Sequence, residues 1–200
     1  MKTFTELQRY SLNGETMGSR YTALFYAGAR IDTDEVGRHL ACAVARVDPQ
    51  MSTWKPDSDL NRLNAAPEQQ WILVPQELAT VLSAALRVSQ QSGGAFDIAV
   101  GDLVNAWGFG PEEPAVREQA LATMPPRTRL SASAALVVDT LRYQVRKRAP
   151  LHLDLNGIAK GFGVDELARC LEGLASPATW SASIARCAPG ASNPMTSAGP

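Results

Sequence analysis

The sequence has few cysteines, few aromatic residues and no excess of charge of either sign. Of its 200 residues, 3 are cysteines and 6% are aromatic, and 19 basic side chains stand against 20 acidic ones. The cysteines, at positions 42, 170 and 187, are too few and too far apart for a disulfide framework or a zinc site. A net charge of -1 gives no general attraction for phosphate backbones, so we expect no nucleic-acid partner.

A long apolar run is also absent. No segment approaches the roughly 18 apolar residues that a membrane span needs, and residues 1–10 are polar, without the apolar stretch of an export signal. We therefore expect no membrane span, and a cytoplasmic protein if Met1 is the true start. What is present is an ordinary globular composition, 45% hydrophobic with 15 glycines and 13 prolines, which excludes a disordered chain.

The spacing of apolar residues in the first half predicts a hairpin followed by two helices. Residues 4–12 and 19–27 are predicted to be paired strands around a turn at Asn13-Gly14. Asp32, Thr33 and Asp34 are candidate caps of a helix that Pro49 is expected to end. Its apolar side recurs at helical spacing, at Val36, Leu40, Val44 and Val47. A second amphipathic helix is predicted from Pro75 to Gly93-Gly94.

The remaining pattern predicts shorter strands and two further helices. We expect strands at residues 71–74, 136–146 and 150–155, and helices at residues 112–123 and 158–174. The basic cluster of residues 142–148 is interrupted by apolar side chains, which is typical of a solvated edge strand. Periodicity disappears near Ala175, and the polar, small-residue composition of residues 176–200 is typical of a flexible tail.

Two segments in the first third of the chain have a composition suited to ligand contact. Residues 16–19 place Met17 beside a glycine, which suits the close approach of a flat apolar ligand, although a plain hairpin turn has the same composition. Residues 51–62 place Trp54 among hydroxyls and charges in a loop, where an aromatic plane commonly stacks on a ring ligand. The nearby Asp57, Ser58 and Asp59 are equally typical of helix caps.

Two later segments carry glycines beside carboxylates. In residues 92–110, glycines leave backbone groups unshielded near Asp97, as in sites that hydrogen-bond a heterocycle, or they form a turn with Trp107 and Phe109 in the core. In residues 154–165, a strand-end aspartate, an Asn156-Gly157 turn and Lys160 in the first helical turn are suited to a pyrophosphate and a divalent cation. The glycine-lysine-hydroxyl order of a Walker loop is absent from this segment.

These four segments occur in the order and at the approximate separations found in the ApbE family of FAD:protein FMN transferases, which the sequence resembles. The resemblance implies an α+β fold with FAD bound in a cleft between two parts. It implies transfer of FMN from FAD to a threonine hydroxyl of a target protein, of the respiratory redox subunit type, with Mg2+ and release of AMP. Family members are also frequently exported or anchored as lipoproteins at the inner membrane.

The resemblance assigns roles to individual positions. It implies that FAD is contacted by Met17, Trp54, Ala95, Phe96, Asp97, Asp154 and Lys160, and that the carbonyl oxygen of Gly157 binds Mg2+. Trp54 stands where the family often has tyrosine, which preserves a stacking plane. A flavin-binding fragment without catalysis and a Mg2+-dependent FAD pyrophosphatase are the alternatives to protein flavinylation.

The resemblance stops near Leu174. Residues 1–174 are expected to form the N-terminal part of the transferase domain, and residues 175–200 an aberrant, disordered tail. Shifting the codons of residues 178–195 by one nucleotide permits a peptide that begins Y-L-V-S-I-D-S-E, which resembles the family strand expected there. We therefore expect a change of reading frame between about Leu174 and Ala178. The C-terminal metal ligands of the family would then be missing, and we expect metal-dependent transfer by this chain to be impaired.

Overall fold

A computed structural model of the chain describes residues 7–111 and 130–174, and the backbone of residues 180–185. It contains two antiparallel sheets of three strands, with helices packed on them. The first sheet has the order β1 (Leu7–Thr16), β2 (Ser19–Gly28), β6 (Trp180–Ala185), and the second the order β3 (Trp71–Leu73), β5 (Gln144–Lys147), β4 (Leu136–Asp139). The mixture of helices with antiparallel sheets confirms the α+β class.

The hairpin turns later than the sequence suggested. The turn residues are Met17 and Gly18, both with positive φ, at 50° and 61°. This is the conformation of a two-residue turn that matches strand twist. Asn13 and Gly14 lie inside the ladder, where Gly14 pairs with Tyr21. A side chain at Gly14 would overlap the Tyr21 ring, so its glycine serves cross-strand packing and the turn predicted at Asn13-Gly14 is wrong.

The first core is formed by β2 and two helices, α1 (Thr33–Ala45) and the long final helix, which spans Ala159–Leu174. Of the three candidate caps, Asp32 is the one that caps α1, by accepting hydrogen bonds of 3.0 Å from the amides of Asp34 and Glu35. The cluster includes Phe25, Leu40 and Leu167, which are almost fully buried. Helical periodicity identified the buried face of α1 correctly at Val36, Leu40 and Val44, because this helix presents one continuous apolar stripe.

Pro49 does not end α1. That helix stops at Ala45, and Asp48–Met51 form a separate short helix, α2, with Pro49 in its first turn. Proline is tolerated at that position because the first amides of a helix have no intrahelical acceptor. The next helix, α3 (Asp59–Ala65), is capped by Ser58, whose hydroxyl accepts from the amide of Asn61, so Ser58 is a helix cap.

The second core lies between α4 (Gln76–Gln91) and the second sheet. Helix α4 begins after Pro75 and ends before Gly93 and Gly94, both with positive φ, as predicted. Leu78, Leu82 and Leu153 are fully buried there. Two short helices, α5 (Gly101–Ala106) and α6 (Ala132–Ala135), adjoin this core; the final helix is α7.

The basic segment near Arg146 lies in the middle of its sheet. The predicted strand of residues 136–146 is a hairpin of β4 and β5, and β5 pairs with β3 on its other side. Lys147 is only 5% exposed, so the expectation of a solvated edge strand is wrong. Burial lowers the pKa of Lys147, while the nearby Glu68 acts in the opposite direction.

Residues 150–155 form no regular strand, so the strand predicted there is wrong. Helix α7 follows them, as predicted from residues 158–174. The tail expectation is wrong at Trp180–Ala185, which form β6 antiparallel to β2. The helix expected at residues 112–123 and the rest of the tail lie outside the described residues. Among the helices that the structure describes, none combines the length and apolar character needed to cross a membrane.

Candidate functional site

A cleft of about 430 Å³ is lined by residues from several separate parts of the chain. Its lining comes from the β1–β2 turn, from α2 and the loop after it, and from the start of α7. Three sequence-predicted residues line it together, namely Met17, Trp54 and Lys160. The other lining residues are Gly18, Ser19, Asp48, Met51, Ser52, Lys55, Phe109, Asn156 and Ala159.

Trp54 offers the cleft an aromatic plane that the core does not use. Its side chain is 61% exposed, which is unusual for tryptophan in a folded protein. The loop around it is nevertheless fixed. Asn61 donates through its side-chain amide to the carbonyls of Thr53 and Lys55, at 2.9 and 2.8 Å, and the Trp54 amide donates to the Ser52 hydroxyl. A fixed, exposed aromatic ring of this kind is suited to stacking on a planar ligand.

Lys160 supplies a positive charge to the same cleft. It lies in the first turn of α7, and its ammonium donates a 2.9 Å hydrogen bond to the hydroxyl of Ser19, the first residue of β2. Lys55 also lines the cleft and forms a 2.7 Å ion pair with Asp48. The cleft thus combines a ring surface with ammonium groups, the two features that a dinucleotide ligand requires.

Asp154 is buried and does not line the cleft, but it hydrogen-bonds Asn156, which does. Its carboxylate accepts hydrogen bonds of 2.8 Å from both the amide and the side-chain nitrogen of Asn156. Asn156 itself lines the cleft. The Asp154 carboxylate therefore fixes the turn that leads into α7.

The segment Ala95-Phe96-Asp97 is not among the residues lining the cleft. The Asp97 carboxylate accepts hydrogen bonds from the backbone amides of Ala99 and Ala132, so it organises the turn before α5 and the start of α6. Phe96 packs towards Gly157, where an added Cβ would lie 3.1 Å from the Phe96 ring. Trp107 and Phe109 are 69% and 72% exposed, so the alternative that placed them in the core is wrong.

The described residues do not complete a Mg2+ site. Gly157 is exposed, and its carbonyl could provide one oxygen. Within residues 7–111 and 130–174, however, no group of three or more histidine, cysteine, aspartate or glutamate side chains is placed to hold a metal ion. Mg2+ demands near-octahedral oxygen coordination, which one carbonyl does not supply.

The model of the ApbE family matches residues 17–176. The chain belongs to the ApbE family. It is 33% identical over 175 residues to the FAD:protein FMN transferase of Haemophilus influenzae, covering 84% of this chain and 51% of that protein. It is 34% identical over 172 residues to the transferase of Vibrio cholerae, covering 82% of this chain and 49% of that protein.

Solved structures of ApbE proteins share the fold. The apo flavinyl transferase ApbE of Pseudomonas stutzeri aligns with a TM-score of 0.75 and 27% identity, covering 93% of this chain and 61% of that one. The flavin transferase ApbE of Vibrio cholerae aligns with a TM-score of 0.70 and 29% identity, covering 84% of this chain and 55% of that one. The chain spans about half the length of the curated relatives it matches.

Sequence reasoning missed two residues of this ApbE-family site. Asp48 lines the cleft from α2, a helix that the misplaced end of α1 had concealed. Asn64 does not line the cleft itself, but its side chain hydrogen-bonds the backbone of Leu153, next to Asp154. No sequence signal singles out Asn64, because its partners lie 83 and 89 residues away along the chain.

Proposed function

We propose that the chain binds FAD in this cleft and forms the flavin-binding part of a FAD:protein FMN transferase. The reaction moves FMN from FAD to a threonine hydroxyl of a target protein, of the respiratory redox subunit type, with release of AMP. The observation that carries the proposal is the meeting of Met17, Trp54 and Lys160 on one cleft, although they come from distant parts of the chain. The names of the relatives that match the chain support it.

The side chains of the cleft would divide the binding of FAD between them. Trp54 would stack on a ring of FAD, and Met17 would cover it from the β1–β2 turn. Lys160 would neutralise an oxygen of the pyrophosphate, as ammonium groups at helix starts do. Asp154 would keep the Asn156 turn in place and limit where the pyrophosphate can lie. Ala95, Phe96 and Asp97 would contact FAD along the backbone beside Gly157.

The transfer itself is a displacement at phosphorus. The threonine oxygen forms a bond to the phosphorus of the FMN moiety, the bond from that phosphorus to the bridging oxygen breaks, and AMP leaves with that oxygen. The proton of the hydroxyl is released. Catalysis of such a step relies on positioning and charge neutralisation. Gly157 would be one ligand of the Mg2+ that the reaction uses, and the described residues do not complete the coordination of this ion.

Titration of FAD with the chain, with and without Mg2+, tests the proposal. Quenching of FAD fluorescence is the expected result for this chain. AMP release and a flavin-fluorescent band on a denaturing gel are expected from a version of the protein that also supplies the remaining Mg2+ ligands. Replacement of Asp154 by alanine in that version should abolish the band, and full labelling by the variant would remove Asp154 from the site. Free FMN without a labelled protein would instead indicate an FAD pyrophosphatase. Absence of quenching would contradict the proposal as a whole.

A flavin-binding protein without catalysis is the second candidate. It is favoured by one observation, that the described residues hold no cluster of metal-binding side chains. This candidate predicts quenching of FAD fluorescence that is independent of Mg2+, with no AMP released. Measurement of AMP by chromatography after prolonged incubation separates the two functions, because binding alone leaves FAD intact.

A further inference from the structure

The backbone that carries Asp154 is clamped from two sides, although it belongs to neither sheet. On one side the Asp154 amide donates to the carbonyl of Ile98, and the Gly101 amide donates to the carbonyl of His152, both at 2.9 Å. On the other side the neighbour is a side chain. The amide of Leu153 donates to Oδ1 of Asn64 at 2.8 Å, and Nδ2 of Asn64 donates to the carbonyl of Leu153 at 3.0 Å.

Asn64 therefore takes the place of a neighbouring strand. A strand residue in an antiparallel pair offers one donor and one acceptor to the residue opposite, and a carboxamide side chain offers the same two groups. Leu153 is fully buried, so its amide and carbonyl would otherwise lack water as a partner. No hydrocarbon side chain could satisfy both groups, and a carboxylate could satisfy only the amide.

The backbone of Asn64 is itself held by a hydrogen bond from Lys147. It lies in the last turn of α3, and its backbone carbonyl accepts a 2.5 Å hydrogen bond from the ammonium of Lys147. Lys147 is held by β5, the central strand of the second sheet. A cation at the carboxyl end of a helix is favourable, because the last carbonyls carry partial negative charge. The interior of the second sheet is thereby connected, through Asn64 and Leu153, to the buried carboxylate of Asp154.

We infer that Asn64 is a positioning residue for the flavin site, acting through Asp154. Asn64 is not among the residues that line the cleft, so it does not touch the ligand there. It fixes the main chain of Leu153, which sets where the Asp154 carboxylate lies and, through two 2.8 Å hydrogen bonds, where Asn156 faces the cleft. This inference rests on the proposed function, since it requires that FAD binds beside Asn156.

A double-mutant cycle on FAD affinity tests the inference. The four proteins are the unsubstituted chain, Asn64→Leu, Asp154→Ala and the double variant, each titrated by flavin fluorescence. We expect Asn64→Leu to weaken FAD binding about tenfold and the double variant to bind no more weakly than Asp154→Ala, because Asn64 acts through Asp154. If Asn64→Leu does not fold, Asn64→Asp replaces it; this variant keeps the acceptor for Leu153 and loses the donor.

A matched control separates positioning from general loss of stability. Leu63 is fully buried one residue earlier in the same helix turn and forms no part of the clamp. Leu63→Ala should lower the melting temperature at least as much as Asn64→Leu, yet the effects of Leu63→Ala and Asp154→Ala on FAD affinity should simply add. Hydrogen exchange at the Leu153 amide should accelerate more in Asn64→Leu than in Leu63→Ala.

The outcomes distinguish failure of the proposed function from failure of the positioning role of Asn64. No FAD binding by the unsubstituted chain overturns the proposed function and this inference with it. Unchanged affinity in Asp154→Ala removes Asp154 from the site. If Asp154→Ala weakens binding but Asn64→Leu and Asp154→Ala have additive effects, or Asn64→Leu has none, the proposed function stands and only the positioning role of Asn64 is wrong.

Discussion

A 2.9 Å hydrogen bond joins the ammonium of Lys160 to the hydroxyl of Ser19, two cleft-lining residues that lie 141 positions apart along the chain. The bond connects the first turn of α7 with the first residue of β2. Ser19 is buried, which leaves the hydroxyl little freedom to turn away. The ammonium is consequently held beside the β1–β2 turn, next to Met17, before any ligand is present, and such preorganisation reduces the entropy cost of binding.

Removing the charge of Lys160 should weaken the binding of FAD and leave that of riboflavin unchanged. Lys160→Met is expected to lower FAD affinity about tenfold at low ionic strength, because a hydrogen bond to a charged group contributes about 1.5–3 kcal/mol. The loss should shrink as salt is added. Riboflavin carries no phosphate and serves as the control ligand in the same fluorescence titration. An equal loss for both flavins would show that Lys160 acts only through the fold.

The ring of Trp54 should be replaceable by another ring but not by a methyl group. We expect Trp54→Tyr to bind FAD nearly as well as the unsubstituted chain, and Trp54→Ala to bind about tenfold more weakly, because stacking contributes about 1 kcal/mol beyond the buried area. Trp71→Ala is the matched control, since Trp71 is also exposed but lies in β3, away from the cleft. Equal losses in both alanine variants would argue against stacking.

Gly101 is expected to tolerate no side chain. A Cβ there would lie 2.8 Å from the carbonyl oxygen of His152, which belongs to the backbone that leads to Asp154. Gly101→Ala should therefore lower the free energy of unfolding by about 2 kcal/mol, in the range of overpacked sites. Gly37→Ala in α1 meets nothing within 4 Å and should instead raise it by about 0.5–1 kcal/mol. Urea unfolding of both variants checks the pair.

Lys147 gives the stability a pH dependence whose direction follows from its burial. Desolvation holds the pKa of Lys147 below its ordinary value of 10.5. Between the folded pKa and 10.5 the unfolded chain binds more protons than the folded one, so the contribution of this group to the free energy of unfolding rises with pH. Below that window both forms are protonated and the unfavourable contribution of burial is constant.

Comparison with Lys147→Met isolates this contribution. Burial also raises the pKa of Tyr21 and of Cys170, and their titration lowers stability at alkaline pH, but equally in both proteins. Urea unfolding at about pH 8 and about pH 10 should therefore show the unsubstituted chain gaining stability relative to the variant. A constant difference between the two proteins at both pH values would contradict the assignment.

Local sequence patterns were sufficient for two of the helices. The faces of α1 and α4 follow from apolar spacing, whereas a cap of α1 within residues 32–34 and the end of α4 at Gly93 follow from the residue types at the helix ends. These features depend on residues within one or two turns of each other. The same locality explains why Trp54 and Lys160 could be selected as candidate ligand contacts, since each lies in a segment whose composition is unusual for its position.

Contacts between residues far apart in the sequence could not be predicted from local patterns. The sequence predicts the turn at Asn13-Gly14 and not at Met17, because local pattern does not reveal that the ring of Tyr21 on the opposite strand requires a glycine at position 14. The charges around Arg146 predict a solvent-exposed edge strand. Pairing with β3 on one side and β4 on the other instead places this strand in the centre of its sheet. Strand order depends on which segments meet, and charge alone does not specify it.

The sequence by itself determined the mixture of helices and strands and the segments from which the cleft is built. The tertiary structure alone decided that Met17, Trp54 and Lys160 share one cleft while Asp97 binds backbone amides outside its lining. It also decided that Asn64 clamps the segment of Asp154. The physical reason is that propensity and periodicity act over a few residues, whereas a buried polar group must find its partner wherever the folded chain brings one.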